Sequence, residues 1–221
     1  MKKNLLALSI AVYLSACGGA KEPDWTGGLV RTWQPDNPAG VVILHQGHDC
    51  FDGCRYDDSL IPAAEAFAAA GYIVYGFEMP PEPHDHGPIE RYYKPVTDLL
   101  DALDRRLPVY MVGLSGGGWT TTVVTALDAR ITAGYSVEGD PYYGDWEQRN
   151  TPQGYAALYQ MAGPRLTHVA IPGSDGSCAA LGHAPPCVND YTTNQHRISE
   201  WAVGYMLQDM AARSAQPVFA Q

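Results

Sequence analysis

Residues 108–127 constrain the fold of this chain more than any other stretch. Val109-Tyr110-Met111-Val112 is an unbroken apolar run opened by Pro108, the pattern of a strand covered on both faces. Gly113-Leu114-Ser115-Gly116-Gly117 follows with no spacer, and Trp119 to Leu127 then reads as a helix. Strand, tight turn and helix in this order are the context that gives G-x-S-x-G its meaning, with the serine exposed at the apex. The residue types have a mechanical reason. So sharp a turn needs a strained backbone, and a side chain at Gly113 or Gly117 would collide with a neighbouring strand or helix. The free N–H groups and positive dipole end at the helix start would favour an oxyanion forming beside Ser115. A glycine-rich turn without chemistry is the plain structural alternative. A phosphate-binding loop fits poorly, because no lysine follows the glycines.

The rest of the chain repeats the alternation. Val41 to Leu44, Tyr72 to Phe77, Ile131 to Val137 and Leu166 to Ile171 read as further strands, with an edge strand around Leu29 to Trp33. Ile61 to Ala70, stopped by Gly71, reads as a helix. So does Glu90 to Arg105, which carries Val96, Leu99, Leu100 and Leu103, and so does Ile198 to Ala212. Strands alternating with helices predict an α/β protein with a doubly wound, mostly parallel sheet. One domain over 28–214 is expected, with no insertion long enough to form a lid.

A serine nucleophile needs an oxyanion hole, a base and an acid. One oxyanion donor is expected from the N–H of Gly116. The other is expected in His45-Gln46-Gly47-His48-Asp49, the loop after the first buried strand, where His48 N–H is preferred to Gln46 N–H. The His45 side chain reads as a hydrogen-bonded structural imidazole. The acid should follow the strand at 166–171, which points to Asp175 in Ile171-Pro172-Gly173-Ser174-Asp175. Asp140, after the intervening strand, is the rival. His196, immediately before the last helix, is the expected base. His183, between Cys178 and Cys187, is the alternative.

Four stretches carry a resemblance: His45 to His48, Gly113 to Thr121, Ser174 to Cys178, and His196 to Ser199. In this order they resemble a bacterial branch of the α/β-hydrolase superfamily, close to the acetyl-xylan-esterase and dienelactone-hydrolase-like enzymes. The resemblance covers roughly residues 40–210 and implies the α/β-hydrolase fold and a triad of Ser115, Asp175 and His196. The chain is short between 140 and 165, where relatives often carry extra loop, so substrate is the least constrained inference. Tyr142, Tyr143 and Trp146 read either as a wall for an acyl or aryl group or as a cap on the core. No metal and no cofactor is expected. His84-Asp85-His86 reads as an exposed loop, and Cys50 and Cys54 lack zinc spacing.

The N-terminus suggests export. Lys2 and Lys3 precede a short apolar stretch from Leu5 to Leu14. Leu14-Ser15-Ala16-Cys17 resembles the lipobox of bacterial lipoproteins, which implies a signal peptide at 1–16, lipid on Cys17 and a tether over 17–27. An ordinary signal peptide cut nearby is the alternative. With no Asp after Cys17, the expected place is the cell envelope, at the outer membrane. In an oxidising compartment four cysteines allow three pairings, of which Cys50–Cys54 and Cys178–Cys187 are the simplest. The net charge of −10 argues against nucleic-acid partners. The expected function is hydrolysis of a small-molecule carboxylic ester. Amide or peptide hydrolysis on the same residues and a non-catalytic envelope binding protein are the alternatives. Oligomeric state is not legible.

Overall fold

A computed structural model of the chain describes residues 28–47, 60–79, 90–139, 152–173, 178, 186–192 and 197–215. Their order is β1 (Gly28–Trp33), β2 (Gly40–His45), α1 (Ile61–Ala69), β3 (Tyr72–Glu78), α2 (Glu90–Ala102), β4 (Val109–Leu114), α3 (Gly116–Leu127) and β5 (Ile131–Val137). Then come α4 (Pro152–Ala162), a 3-10 turn (Gly163–Arg165), β6 (Leu166–Ala170), β7 (Cys187–Asn189) and α5 (Glu200–Ser214). The strands form one sheet in the order β1-β3-β2-β4-β5-β6-β7. Every pairing is parallel except the edge pair β1–β3. The doubly wound, mostly parallel sheet read from the sequence is the one observed.

Helices cover both faces, which is why β2 and β4 read as continuous apolar runs. On one face Val42, Val112 and Val137 pack with Phe67 near the end of α1 and with Ala202, Met206 and Met210 of α5. On the other, Ile43, Met111 and Ile131 meet Val96 and Leu100 of α2 and Val124 of α3. Each fully buried aliphatic side chain of this kind stabilises the fold by about 1.5–3 kcal/mol. Two buried tyrosines tie α5 to the sheet by their polar ends. Tyr110 donates to the Met210 carbonyl at 3.1 Å. Tyr135 donates to Asp209 at 2.7 Å, and Asp209 also accepts from Arg213 at 2.7 Å. The C-terminal part of α5 is thereby held against the sheet.

Helix α3 is sealed in the core, buried from Gly116 to Ala126. Its threonines survive there because Thr120, Thr121 and Thr122 donate their hydroxyls back to the carbonyls of Gly116, Gly117 and Gly118, at 3.2, 2.9 and 3.2 Å.

Some boundaries differ from the sequence reading. Helix α3 begins at Gly116 rather than Trp119, because the glycine run that hides it is its first turn. Helix α2 ends at Ala102, three residues early: the Asp104 side chain accepts the Arg106 N–H at 3.1 Å and closes an Asx-turn. Helix α4 and the three-residue β7 had no clear signal. The Cys178–Cys187 disulfide is present. Cys50 and Cys54 lie outside the described residues, as do the segments on which a lid would have to be judged. No helix among the described residues is long and apolar enough to cross a membrane, and residues 1–27 are outside that set.

His168 on β6 is buried and meets Tyr159 of α4 edge-on, with ring centroids 5.1 Å apart. Its Nε2 has no hydrogen-bond partner among the described residues. Desolvation pushes its pKa down from 6.5 to about 4. The native state therefore resists protonating it, so its contribution to stability is complete above pH 6.5 and is lost as pH falls through 4. At about 1.4 kcal/mol per unit, the loss approaches about 3 kcal/mol. Urea unfolding of the wild type and His168→Leu across pH 4–7.5 should show a shallower acid decline in the variant; parallel declines would refute this.

Candidate active site

The C-terminal ends of the parallel strands are where an open α/β sheet binds ligands. There β4 ends at Leu114 and α3 begins at Gly116, so Ser115 alone makes the connection. Its backbone has φ 54° and ψ −118°, a region that L-residues rarely adopt. Such a conformation costs about 1–3 kcal/mol and persists only where the surroundings enforce it. Here the Ser115 N–H donates to the Val137 carbonyl at 2.8 Å, and the Ser115 carbonyl accepts from Trp119 at 3.1 Å. A serine at a helix N-cap ordinarily turns its hydroxyl onto the first-turn N–H groups. Ser115 makes no such cap bond, so its Oγ is not consumed by the helix.

The flanking glycines are required by contact. A Cβ on Gly117 would overlap the His45 carbonyl oxygen and stand 2.6 Å from that of Gln46. One on Gly113 would overlap the Gly117 carbonyl and reach 2.5 Å from the Thr121 hydroxyl. On the other side of the turn, a Cβ on Gly47 would lie 2.8 Å from Ser115 Cβ and 3.2 Å from the Gly116 nitrogen. The loop after β2 thus lies directly against the start of α3. Gly116 occupies the first helical position, where an N–H has no acceptor within the helix.

That loop is held from behind. Gln46 N–H donates to the Phe77 carbonyl at 2.9 Å. The buried His45 ring donates from Nδ1 to the Gln46 carbonyl at 2.9 Å and stacks on Phe77, with centroids 6.1 Å apart. His45 is a structural imidazole, as read from the sequence.

The structure brings together Ser115, Gly116, His45, Gln46 and Gly47. His48, Asp175 and His196 lie outside the described residues, as do Asp140, His183 and the His84–His86 loop. What is visible is how the chain is fixed on either side of them. Ile171, which leads toward Asp175, donates its N–H to the Glu138 carboxylate. Glu138 ends β5 with φ 50°, and its own N–H donates to Val169 at 3.0 Å. Ser115 and Glu138 are the two non-glycine residues with positive φ among those described, and they stand at the ends of adjacent strands. Asp190 and Ser199, which bracket His196, are bonded to each other.

Sequence reading passed over Glu78, Glu138 and Asp190, each a carboxylate at or just past the end of a strand. Their signal was slight: one acidic residue closing an otherwise apolar run. Glu78 is 3% exposed, and its Oε2 has no hydrogen-bond partner among the described residues. Burial pushes its pKa up from 4.5 to about 7. Among the described residues no group of three His, Cys, Asp or Glu side chains could hold a metal ion.

No family model matches the chain, and no curated protein matches it. Solved structures do. Est1E from Butyrivibrio proteoclasticus superposes with a TM-score of 0.61 at 16% identity, over 84% of this chain and 93% of that one. The esterase domain of a Rhodothermus marinus protein gives 0.55 at 14%, over 82% and 89%. A monoacylglycerol lipase from Paleococcus ferrophilus gives 0.55 at 13%, over 83% and 98%. At such identities the likeness is one of fold. The fold is that of the α/β-hydrolases, with Ser115 at the strained turn between β4 and α3.

Glu78 provides a test of this edge of the sheet. Because its native pKa is raised, its contribution to stability is complete below pH 4.5 and is lost as pH rises through 7. The stability of Glu78→Gln relative to the wild type should therefore grow by up to about 3 kcal/mol between pH 4 and pH 8. Urea midpoints measure it, and a constant difference would contradict the raised pKa of the buried carboxyl.

Proposed function

We propose that the chain hydrolyses carboxylic esters through a serine nucleophile. The observation that carries the reading is the backbone of Ser115: strained, enforced on both sides, and with its hydroxyl not spent on capping α3. That the structural neighbours include esterases and a lipase supports the same reading.

In this proposal His196 takes the Ser115 proton as Oγ attacks the ester carbonyl, and Asp175 holds the imidazole tautomer and steadies its cation. The Gly116 N–H, with the His48 N–H as the second donor, stabilises the tetrahedral oxyanion. Its collapse expels the alcohol, which takes the proton from His196. Water, deprotonated by the same histidine, then attacks the acyl-enzyme and releases the acid. Short, accessible acyl groups are the expected substrates.

Turnover of p-nitrophenyl esters of graded acyl length tests the proposal. Ser115→Ala should lose on the order of a millionfold in kcat, and His196→Ala nearly as much, because the two act as a unit. His183→Ala should lose about tenfold or less. Substantial activity in purified Ser115→Ala would exclude the mechanism, and a dead His183→Ala beside an active His196→Ala would move the base.

The reading extends to location. We propose that Cys17 carries lipid and anchors the protein in the bacterial envelope, at the outer membrane. Mass spectrometry of the mature N-terminus should find acylated Cys17, and Cys17→Ser should leave the membrane fraction; an unmodified N-terminus elsewhere would rule out the anchor.

A further inference from the structure

The chain between β7 and α5 carries His196, and one side chain closes both of its ends. Asp190 follows β7 directly and is 1% exposed. Its N–H donates to the Ala170 carbonyl at 2.8 Å, fixing its backbone to the end of β6. One carboxylate oxygen accepts the Thr192 N–H at 2.8 Å and the Thr192 hydroxyl at 2.7 Å. The other accepts the Ser199 hydroxyl. Ser199 in turn caps α5, its Oγ accepting the Ala202 N–H at 3.0 Å. Thr192 and Ser199, which stand on either side of His196 in the sequence, are therefore bonded to a single carboxylate.

A chain stretch bonded to Asp190 at both Thr192 and Ser199 has its ends set by that group. An acidic side chain is a costly choice for an interior position unless donors meet it. Here donors meet both oxygens, as an ionised carboxylate requires. They come from the two ends of one loop and from the cap of the next helix, so the bonds fix the loop relative to α5. The C-terminal part of α5 is itself tied to the sheet through Tyr110 and Tyr135. Through its N–H on the Ala170 carbonyl, Asp190 also joins the end of β6 to the cap of α5. Base placement is demanding: a misplacement of about 1 Å can cost on the order of a hundredfold in rate.

We infer that Asp190 is a positioning residue for the proposed base, because it bonds Thr192 and Ser199, on either side of His196 in the chain, to one carboxylate. The inference rests on the hydrolase reading above. Asp190 touches neither substrate nor nucleophile in this assignment; it acts through the geometry of the loop.

Three variants test it, each measured per titrated active site so that misfolded protein does not count. Asp190→Ala should lower kcat on p-nitrophenyl acetate by thirtyfold or more while KM stays within threefold. Asp190→Asn should recover most of that loss, since its carbonyl still accepts from Thr192 and its amide can donate to Ser199. Thr192→Val, which removes one bond only, should lose three- to tenfold and serves where Asp190→Ala does not fold. Hydrogen exchange over 191–199 should quicken in Asp190→Ala and Thr192→Val while α3 stays protected. If Asp190→Ala, or Thr192→Val where Asp190→Ala does not fold, matches the wild type in kcat and in exchange, the inference is overturned. A wild type that neither turns over esters nor reacts with a fluorophosphonate overturns the hydrolase reading, and with it the link from Asp190 to catalysis. A reactive wild type beside equally reactive variants overturns the inference alone.

Discussion

The backbone of the loop after β2 approaches the first turn of α3 so closely that no side chain fits between them. Gly117 faces the carbonyls of His45 and Gln46, and Gly47 faces Ser115 and Gly116. This contact sets the height of α3 above the sheet, and with it the depth at which β4 must turn. The turn has one residue in which to change direction, so that residue takes the strain. The buried first turns of the helix then have to be apolar or self-satisfying, which the back-bonds of Thr120, Thr121 and Thr122 achieve. An alanine at Gly117 would push α3 off the loop and release the strain on Ser115. It would also separate the Gly116 N–H from the loop that supplies the second oxyanion donor in the proposed mechanism.

The same edge of the sheet collects carboxylates, and their partners differ in kind. Glu138 receives an N–H from Ile171, and Asp190 receives donors from Thr192 and Ser199. Each therefore fastens a segment that leads to a proposed member of the triad. Glu78 has no such donor for its Oε2 among the described residues, and burial alone raises its pKa. Fastened carboxylates act as joints between loops and sheet. An unfastened one makes the same edge sensitive to alkali, while His168 deeper in the sheet makes the fold sensitive to acid. Between pH 4.5 and 6.5 the two effects run in opposite directions and offset each other.

The parts of this fold that could be read from the sequence are those in which local pattern and burial agree. The strands β2 to β6 announce themselves because both faces are covered, so most positions are apolar. The turn at Ser115 announces itself because close packing excludes all residues but glycine at fixed offsets. Helix α4 was hidden because Gly154 weakens its propensity and tertiary contact supplies the rest. Strand β7 is three residues held by the Cys178–Cys187 link and by pairing to β6, neither of which is periodic in sequence. Glu138 and Asp190 were missed for a related reason. Their roles depend on which N–H or hydroxyl arrives from a distant segment, and a single acidic letter after a strand does not encode that.

The central claim is that Ser115 is poised as a nucleophile by the turn that holds it. Reaction of the purified protein with a fluorophosphonate, followed by peptide mapping, tests this without any assumption about substrate. The account predicts one adduct per chain, on the peptide that contains Ser115, and none after Ser115→Ala. An unlabelled chain, or an adduct on a different residue, would contradict it.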